Sequence, residues 1–435
     1  MTWIVGLAGA SAGLVLADAS VEGVAGAVDV RIADGRVADI SAAGTAVHPG
    51  AAVVIPLDGR VVAPAFVEPH LHLDKALLGA PPHGGDLGAA IAYTADRKRA
   101  FTHGDVQTRA ERVLAAALRA GTTAIRAQTE VDPSVGLLSI EVMHDLAERH
   151  SSWLDLQIAV FPQEGIRARP GTLELMRRAL ALPGTVVGGC PYTEADAADA
   201  RAHVDTVLDL AAEFGTFADL HLDLADDVRD ERFALAAYVA RATAERGLEG
   251  RVAIGHVTSL AAVAPADRAG ILDALAAAGV SVVVLPATDL YLVGRGDAAN
   301  VRRGIAPVSD LWAHGVRTAV SSNNLRNAFT PTGRADPLDI ALLLGRVSFA
   351  SSREDFVRLH RTVTTDAAAV IGSERMRGLA PGAPADLVVF DSTDPGAVVL
   401  DQPTRRLVIA KGEVVYSSEV HAAFHGVARG LARLH

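Results

Sequence analysis

The sequence contains a single cysteine, Cys190, among its 435 residues. One thiol cannot form a disulfide within the chain, so a disulfide framework is excluded. The 40 Lys and Arg residues are scattered rather than gathered into a basic stripe, and the net charge is −11. Because phosphate binding needs clustered cations, this distribution argues against a nucleic-acid partner.

The apolar N-terminal stretch, residues 1–19, lacks the basic segment with which a signal peptide begins. It is also short, and rich in Gly and Ala, for a membrane span. We therefore expect these residues to begin the folded chain of a cytoplasmic protein that has no membrane partner.

Short apolar runs alternate with longer amphipathic segments over about residues 63–380. Eight runs of β-strand character lie at 61–67, 122–127, 154–161, 184–190, 216–222, 251–256, 279–285 and 316–322. Helical periodicity lies between them, at 105–120, 171–182, 230–246 and 260–277. This order predicts the α/β class and a (β/α)8 TIM barrel. A doubly wound sheet would need a glycine-rich turn after its first strand, where this chain has two histidines.

The two ends of the chain resemble each other in pattern. Residues 1–62 and 381–435 both contain short β-type runs, with Asp-Gly pairs at 34–35 and 58–59 and a Lys-Gly pair at 411–412. Such pairs indicate hairpins. We expect the two ends to form one small β domain that is discontinuous in sequence.

Polar side chains follow the predicted strands, at the barrel end where chemistry occurs. His70 and His72 stand two residues apart, so both point to the same side of one strand and suit a shared metal ion. His221 and His256 end strands five and six. We expect one pocket to contain these four histidines with Gln163 and Asn323, while four others lie outside it: His83, His144, His203 and His314.

Several segments resemble the amidohydrolase superfamily, within it the cytosine deaminase branch and the related triazine-ring amidohydrolases. They include "APAFVEPHLHLDKA" (63–76), "LDLQIAVFPQEGI" (154–166), "HLDLADD" (221–227), "IGHVTSL" (254–260) and "NNLRNAFTPTG" (323–333). The resemblance implies one divalent metal, zinc before iron or manganese, on His70, His72 and His221. It also implies that His256 polarises the substrate and that Gln163 binds its ring.

Two positions depart from the pattern that the resemblance implies. Asn323 stands where the family has a metal-binding Asp, and Leu224 where it has a proton-shuttling Glu. An amide can coordinate a metal but cannot take a proton, and an aliphatic chain can do neither. We therefore expect the metal to be weakly held or absent, at well under one ion per chain.

Other polar residues near the strand ends have more than one interpretation. Asn324 and Asn327 stand with Asn323 where the family has three carboxylates, and we predict that they bind a small polar ring. Glu130 could enter the pocket as a substrate-binding residue or, like Asp132, cap the next helix. Asp223 is expected to make structural hydrogen bonds, and Cys190 is expected to be buried and inert.

Three functions remain open from the sequence. The first is a hydrolase acting on a C–N bond of a small cyclic amide, amidine or N-heterocycle, with an altered proton relay. The second is a non-hydrolytic enzyme, a cyclase, lyase or isomerase, that uses His256 or His221 as acid or base and could lack a metal. The third is a non-catalytic small-molecule binder. The resemblance also implies a homo-oligomer.

Overall fold

The computed structural model describes residues 13–45, 52–373 and 378–420. The first 12 residues, which were expected to begin the folded chain, lie outside the described part. Within it, no helix combines the length and apolar character that crossing a membrane requires.

The N-terminal part forms a small four-stranded sheet. Its strands are β1 (Leu14–Ala19), β2 (Val28–Ala33), β3 (Arg36–Ala42) and β4 (Val53–Pro56), in the spatial order β3-β2-β1-β4. The predicted hairpin at 34–35 is confirmed, because Asp34 and Gly35 both have positive φ and join the antiparallel β2 and β3. This turn geometry matches the twist of the flanking strands.

The predicted hairpin at 58–59 is wrong. Asp58 and Gly59 do form a turn with positive φ, but the strands on either side enter different sheets. Strand β4 pairs in parallel with β1, whereas β5 (Val62–Pro64) pairs with a strand from the C-terminal part. The turn therefore passes the chain from one sheet to another.

The central part is the predicted barrel. Eight parallel strands follow one another in chain order, each hydrogen-bonded to the next: β6 (Phe66–Leu71), β7 (Thr122–Glu130), β8 (Asp155–Phe161), β9 (Thr185–Gly189), β10 (Ala218–Leu222), β11 (Val252–His256), β12 (Ser281–Val284) and β13 (Thr318–Val320). The prediction for the first strand, 61–67, merged β5 with β6, because one continuous apolar run crosses from one sheet to the other.

The barrel closes where the end of β13 meets β6. The backbone N–H of His72 donates to the carbonyl of Asn323 at 2.8 Å. Buried Glu68 accepts hydrogen bonds from the hydroxyls of Ser321 and Ser322, each at 2.5 Å, and from the Ser322 N–H at 2.9 Å. Asn323 therefore lies beside the His70–His72 pair, although some 250 residues separate them in sequence.

Helices follow the strands of the barrel along the chain. They are α1 (Leu87–Lys98), α2 (His103–Ala120), α3 (Leu138–Arg149), α4 (Thr172–Leu180), α5 (Ala197–Glu213), α6 (Ala236–Glu245), α7 (Pro265–Ala277), α8 (Pro286–Leu292), α9 (Val308–Ala313), α10 (Pro337–Val347), α11 (Arg353–Thr362) and α12 (Thr365–Ile371). Apart from α6 and α7, which begin later than predicted, at Ala236 and Pro265, after short 3-10 turns, the helical stretches predicted from periodicity are confirmed. Helix α2 illustrates why: it buries Val106, Ala110 and Val113 on one face and ends at Gly121, whose φ of +102° suits glycine.

The C-terminal part contains α13 (Val398–Asp401) and the strands β14 (Leu387–Phe390), β15 (Arg405–Ala410) and β16 (Glu413–Ser417), which form a sheet in the order β16-β15-β14-β5. The Lys-Gly hairpin at 411–412 is confirmed between β15 and β16. Residues of this sheet, such as Leu387 and Ile409, share one buried core with Leu16 and Val30 of the N-terminal sheet. The two ends of the chain thus meet in two small sheets that pack together.

Candidate active site

Three buried imidazoles converge at the carboxyl end of the barrel. His70 lies in β6, His72 directly after it, and His221 in β10. The Nε2 atom of His221 is 3.0 Å from that of His70 and 2.9 Å from that of His72. The period of two along β6 explains why both of its histidines reach the same point.

The hydrogen bonds of the Nδ1 atoms determine whether the Nε2 atoms of His70 and His72 carry a proton or a lone pair. His70 Nδ1 donates to the Asp219 carboxylate at 2.9 Å, and His72 Nδ1 donates to the Gln128 carbonyl at 3.2 Å. Neither acceptor can donate in return, so the Nε2 atoms of His70 and His72 both carry lone pairs. The Nε2 atom of a neutral His221 carries at most one proton, so it can donate to only one of these two lone pairs. The three Nε2 atoms therefore cannot all be joined by hydrogen bonds.

A divalent cation fits this arrangement. Burial lowers the pKa of His70 and lowers those of His72 and His221 well below the ordinary value, which favours the neutral imidazoles that metals bind. The three form a group that can hold a metal such as zinc. The buried Oδ1 of Asn323 has no hydrogen-bond partner among the described residues, and its Nδ2 donates to Thr288 Oγ1 at 3.1 Å. That free oxygen is a candidate fourth ligand.

His256 stands next to the trio at the end of β11. Its ring centroid lies 5.4 Å from that of His221, as the sequence led us to expect. Its Nδ1 donates to Asp289 at 2.6 Å. Asp289 belongs to the first turn of α8, and burial raises the pKa of its carboxyl. The pair fixes the ring so that Nε2 is its unprotonated nitrogen when His256 is neutral.

Buried Lys75 fixes the side chains on the cavity wall opposite the histidines. Lys75 Nζ donates to both Gln163 Oε1 and Glu130 Oε1 at 2.6 Å. The ammonium also lies 5.2 Å and 5.5 Å from the ring centroids of Phe161 and Phe329. Because its oxygen is occupied by Lys75, Gln163 presents its amide N–H groups to the cavity.

Glu130 lies behind this wall rather than in it. Its second oxygen is 3.2 Å from Lys98 Nζ, and Lys98 also pairs with Asp132 and Glu164. Burial opposes ionisation of Glu130, but Lys75 and Lys98 outweigh it and hold its pKa at about 2. Asp132 accepts hydrogen bonds from the N–H groups of Ser134 and Val135 in the turn before α3.

The three asparagines have different positions. Asn323 and Asn324 line the innermost cavity, but Asn327 is not among its lining residues. Asn327 Nδ2 donates to Asn324 Oδ1 at 2.8 Å, and its Oδ1 accepts from the N–H groups of Phe329 and Thr330. Asn327 thus holds the loop and orients Asn324, whose amide N–H groups are left for the cavity.

The cavity around the histidines contains no carboxylate among its lining residues, which are His72, Leu87, Gln163, Tyr192, His221, Leu224, His256, Thr288, Asn323, Asn324 and Phe329. The acids stand one layer further out. Asp219 holds His70, Asp289 holds His256, and Glu130 holds Lys75. The innermost surface is therefore neutral and rich in hydrogen-bond donors.

A family model described as the amidohydrolase family matches residues 86–416. The chain belongs to the amidohydrolase family. The match confirms the expected class of enzyme, a hydrolase acting on carbon–nitrogen bonds other than peptide bonds.

The relatives match over nearly their whole length. A pterin deaminase from Rhizobium rhizogenes is 31% identical over 89% of this chain and 87% of its own. The structure of 5-methylcytosine deaminase from Klebsiella pneumoniae with 5-fluorocytosine superposes with a TM-score of 0.88, at 27% identity, over 95% of this chain and 99% of that one. N-isopropylammelide isopropylaminohydrolase from Burkholderia multivorans gives 0.81 at 28% identity, over 93% and 98%.

Two residues of this amidohydrolase site escaped the sequence reasoning. Lys75 was overlooked because a lysine after a histidine motif usually faces solvent, and only the fold brings Glu130 and Gln163 to it. Asp219 gave a usable signal, since it lies two residues before His221 and so points to the same side of its strand.

Four other residues of the amidohydrolase lie where the sequence led us to expect them. Asp223 accepts hydrogen bonds from the N–H groups of Leu235 and Ala236 at the start of α6, the structural role expected of it. Cys190 is buried, and burial raises the pKa of its thiol to about 12, which keeps it protonated. His203 pairs with Glu194, and His314 pairs with Asp273 at the surface, both away from the cavity.

Proposed function

We propose that this amidohydrolase cleaves a C–N bond of a small N-heterocycle, with one divalent ion held by His70, His72, His221 and Asn323. The observation that carries the proposal is the crowding of three buried Nε2 atoms at about 3 Å, with two of their lone pairs aimed at one point. The names of the relatives support the substrate class, since pterin, 5-methylcytosine and N-isopropylammelide are all nitrogen heterocycles.

The proton relay is proposed to be atypical at two positions. Asn323 and Leu224 stand where the family pattern leads us to expect an Asp and a Glu, and both side chains line the cavity. Neither can accept a proton. Leu224 is 4% exposed, so a buried apolar side chain stands where the family pattern has an acid.

His256 is the group we assign to proton transfer. A divalent ion held by His70, His72, His221 and Asn323 would lower the pKa of a water molecule and so make it a nucleophile near neutral pH. Asp289 holds the Nδ1–H of His256, so Nε2 takes the proton of the attacking water and returns it to the leaving nitrogen. The buried Asp289 carboxylate stabilises the charged ring that forms in between.

The donors of the cavity define the ring that it accepts. Gln163 and Asn324 each have their amide oxygen occupied by the protein, so both present N–H groups. We infer a ring that carries oxo groups or an unprotonated nitrogen at these edges. With no carboxylate on the inner surface, a partly anionic ring is favoured over a cationic one.

The altered relay also favours a second candidate, a non-hydrolytic reaction in which His256 acts as acid or base on the same ring. A merely binding protein is the third possibility. The predicted homo-oligomer stays a prediction, and so does the choice among zinc, iron and manganese.

The test is turnover of a panel of cytosine, pterin and ammelide derivatives, with zinc, iron or manganese supplied and with ¹⁸O-labelled water. We expect labelled oxygen at the ring carbon that loses its amine. Turnover without the label supports the non-hydrolytic candidate, and binding without turnover supports the binder. His221→Ala and His256→Gln should remove activity, whereas His314→Ala, a histidine substitution outside the cavity, should not.

A further inference from the structure

A wide cleft of about 700 Å³ opens above the innermost cavity. Its walls are formed by α1, by the segment after β9, by the loop after β10 and by the end of α8. Most of its lining side chains are apolar: Leu87, Ile91, Ala92, Ala95, Ala168, Tyr192, Leu224, Ala225, Phe233, Leu292 and Val293. Tyr192 and Phe233 stack with ring centroids 5.2 Å apart, which gives this wall a flat aromatic surface.

The cleft continues the catalytic cavity outward. Leu87, Tyr192 and Leu224 line both spaces. Leu224, the aliphatic residue at the expected acid position, lies at the boundary and joins the apolar wall to the polar floor. The innermost cavity measures only about 10 Å³, so the cleft supplies almost all of the free space at the site. The volume of the cleft falls within the range of about 300–1,000 Å³ that accommodates ligands of drug size.

The charged groups of the cleft are already engaged by the protein. Asp86 caps α1 through the N–H of Ala89 at 2.9 Å, and Asp226 accepts from the N–H of Gly294 at 2.8 Å. Glu164 pairs with Lys98 and, at 2.5 Å, with Arg169. Arg169 is the one cation among the described residues that line the cleft, and its side chain is 53% exposed, so an anionic group would find a single exposed partner there. An apolar group needs only to displace water along the rest of the wall.

We propose that the substrate is a nitrogen heterocycle with a large, uncharged, apolar substituent, the reacting edge of the ring lying at the histidines and the substituent in the cleft. This rests on the proposed function, because it takes the histidines as the place of reaction. The substituent packs against α1 and the Tyr192–Phe233 pair.

The experiment compares each bare ring with its N-benzyl derivative: cytosine, ammelide and pterin against N4-benzylcytosine, N-benzylammelide and N2-benzylpterin. Affinity is measured by titration calorimetry with zinc supplied, and turnover is measured separately. Burial of the phenyl group should strengthen binding at least about tenfold in one pair or more. Equal affinity within every pair, including no binding by either member, overturns the proposal.

Two variants test where the substituent lies. Ala92→Trp and Ala95→Trp fill the cleft from α1, and Ala92 is exposed, so its replacement should not disturb folding. Both should remove the benzyl advantage while leaving the affinity of the bare ring unchanged. Ala100→Trp, the same substitution at an exposed position after α1 and outside the cleft, should retain the advantage. Loss of the advantage in Ala100→Trp, or its persistence in both α1 variants, overturns the assignment.

Binding and turnover separate this inference from the proposed function. A benzyl advantage in affinity without release of amine leaves the cleft assignment standing and refutes the hydrolytic function. Turnover that is equally fast for bare and benzylated rings, with equal affinities, supports the hydrolytic function and refutes the cleft assignment.

Discussion

Asp219 supports the proposed metal centre from outside, and its replacement by asparagine should separate metal binding from stability. Its carboxylate accepts from His70 Nδ1 at 2.9 Å and from Arg126 Nη1 at 3.1 Å, and all three side chains are fully buried. The substitution Asp219→Asn would keep the shape of the side chain but lose the charge that both partners need. We expect two effects of different origin.

The first effect of Asp219→Asn is on metal affinity. Outer carboxylates fix the orientation and tautomer of a ligating histidine, and their loss typically weakens metal binding by about 10–100-fold. The second effect is on folding. Arg126 would remain buried with its charge unpaired, which typically costs about 3–5 kcal/mol. Its remaining contacts, to Gln157 at 3.1 Å and to the Phe217 ring, carry no negative charge.

The two effects can be measured apart. Chemical unfolding in excess chelator reports stability without metal, and competition with a chelating dye reports zinc affinity. The double variant Arg126→Met with Asp219→Asn removes the stranded cation, so it should regain much of the stability and none of the zinc affinity. If zinc affinity returns in the double variant, distortion by Arg126 caused the loss. If Asp219→Asn alone keeps full affinity, the orienting role is refuted.

Four other predictions concern single side chains, and one of them has Lys98 as its control. Asn323→Asp adds an anionic ligand and should raise the zinc content of purified protein, measured by mass spectrometry; an unchanged content means that residue 323 is not a ligand. Lys75→Met frees the Gln163 oxygen and should raise KM for oxo-substituted rings about tenfold with little change in kcat. The control Lys98→Met should destabilise the fold without changing ring selectivity. Burial lowers the pKa of His360 to about 4, so the unfolded chain binds its proton first and stability should fall by about 2.5 kcal/mol as pH drops from 6.5 to 4; His360→Phe should remove that part of the acid sensitivity in unfolding measured across this range. Cys190 should resist a thiol reagent at pH 8 until the protein is denatured, and rapid labelling of native protein would contradict its burial.

The barrel could be predicted because its strands are short, apolar and buried on both faces. Each of the eight runs ends at a turn or a polar residue, and helical periodicity resumes between them, so order and type follow from local pattern. The boundary at Ala65 could not be predicted in this way. Val62–Pro64 and Phe66–Leu71 are equally apolar, and only pairing with β14 or β7 decides which sheet each joins.

The histidines of the site could be predicted because strand ends converge in a barrel. The arrangement of side chains on the cavity wall opposite the histidines could not be predicted. Glu130 was a candidate for the pocket because it follows the strand predicted at 122–127, but it is the last residue of β7 and lies buried between Lys75 and Lys98. Its place therefore depends on two lysines from other segments. Asn327 likewise follows the motif in sequence, yet its hydrogen bonds go to its own loop, to Asn324 and to the carbonyl of Lys75.

The neutral inner surface and the outer layer of acids can be understood together. Asp219, Asp289 and Glu130 each engage a side chain that meets the cavity or orients one that does, and none of them lines it. Such an arrangement keeps His70, His256 and Gln163 in fixed orientations without placing a negative charge beside the substrate. A divalent ion at the three histidines would give the cavity a strong positive potential. The carboxylates that screen this charge lie behind the side chains of the cavity wall. An asparagine in place of the carboxylate that the family pattern leads us to expect at residue 323 would weaken ion binding, but it would also leave more of the charge of the ion available to a ring that carries oxo groups. The proposed replacement would therefore suit the ring chemistry inferred from the amide donors of Gln163 and Asn324.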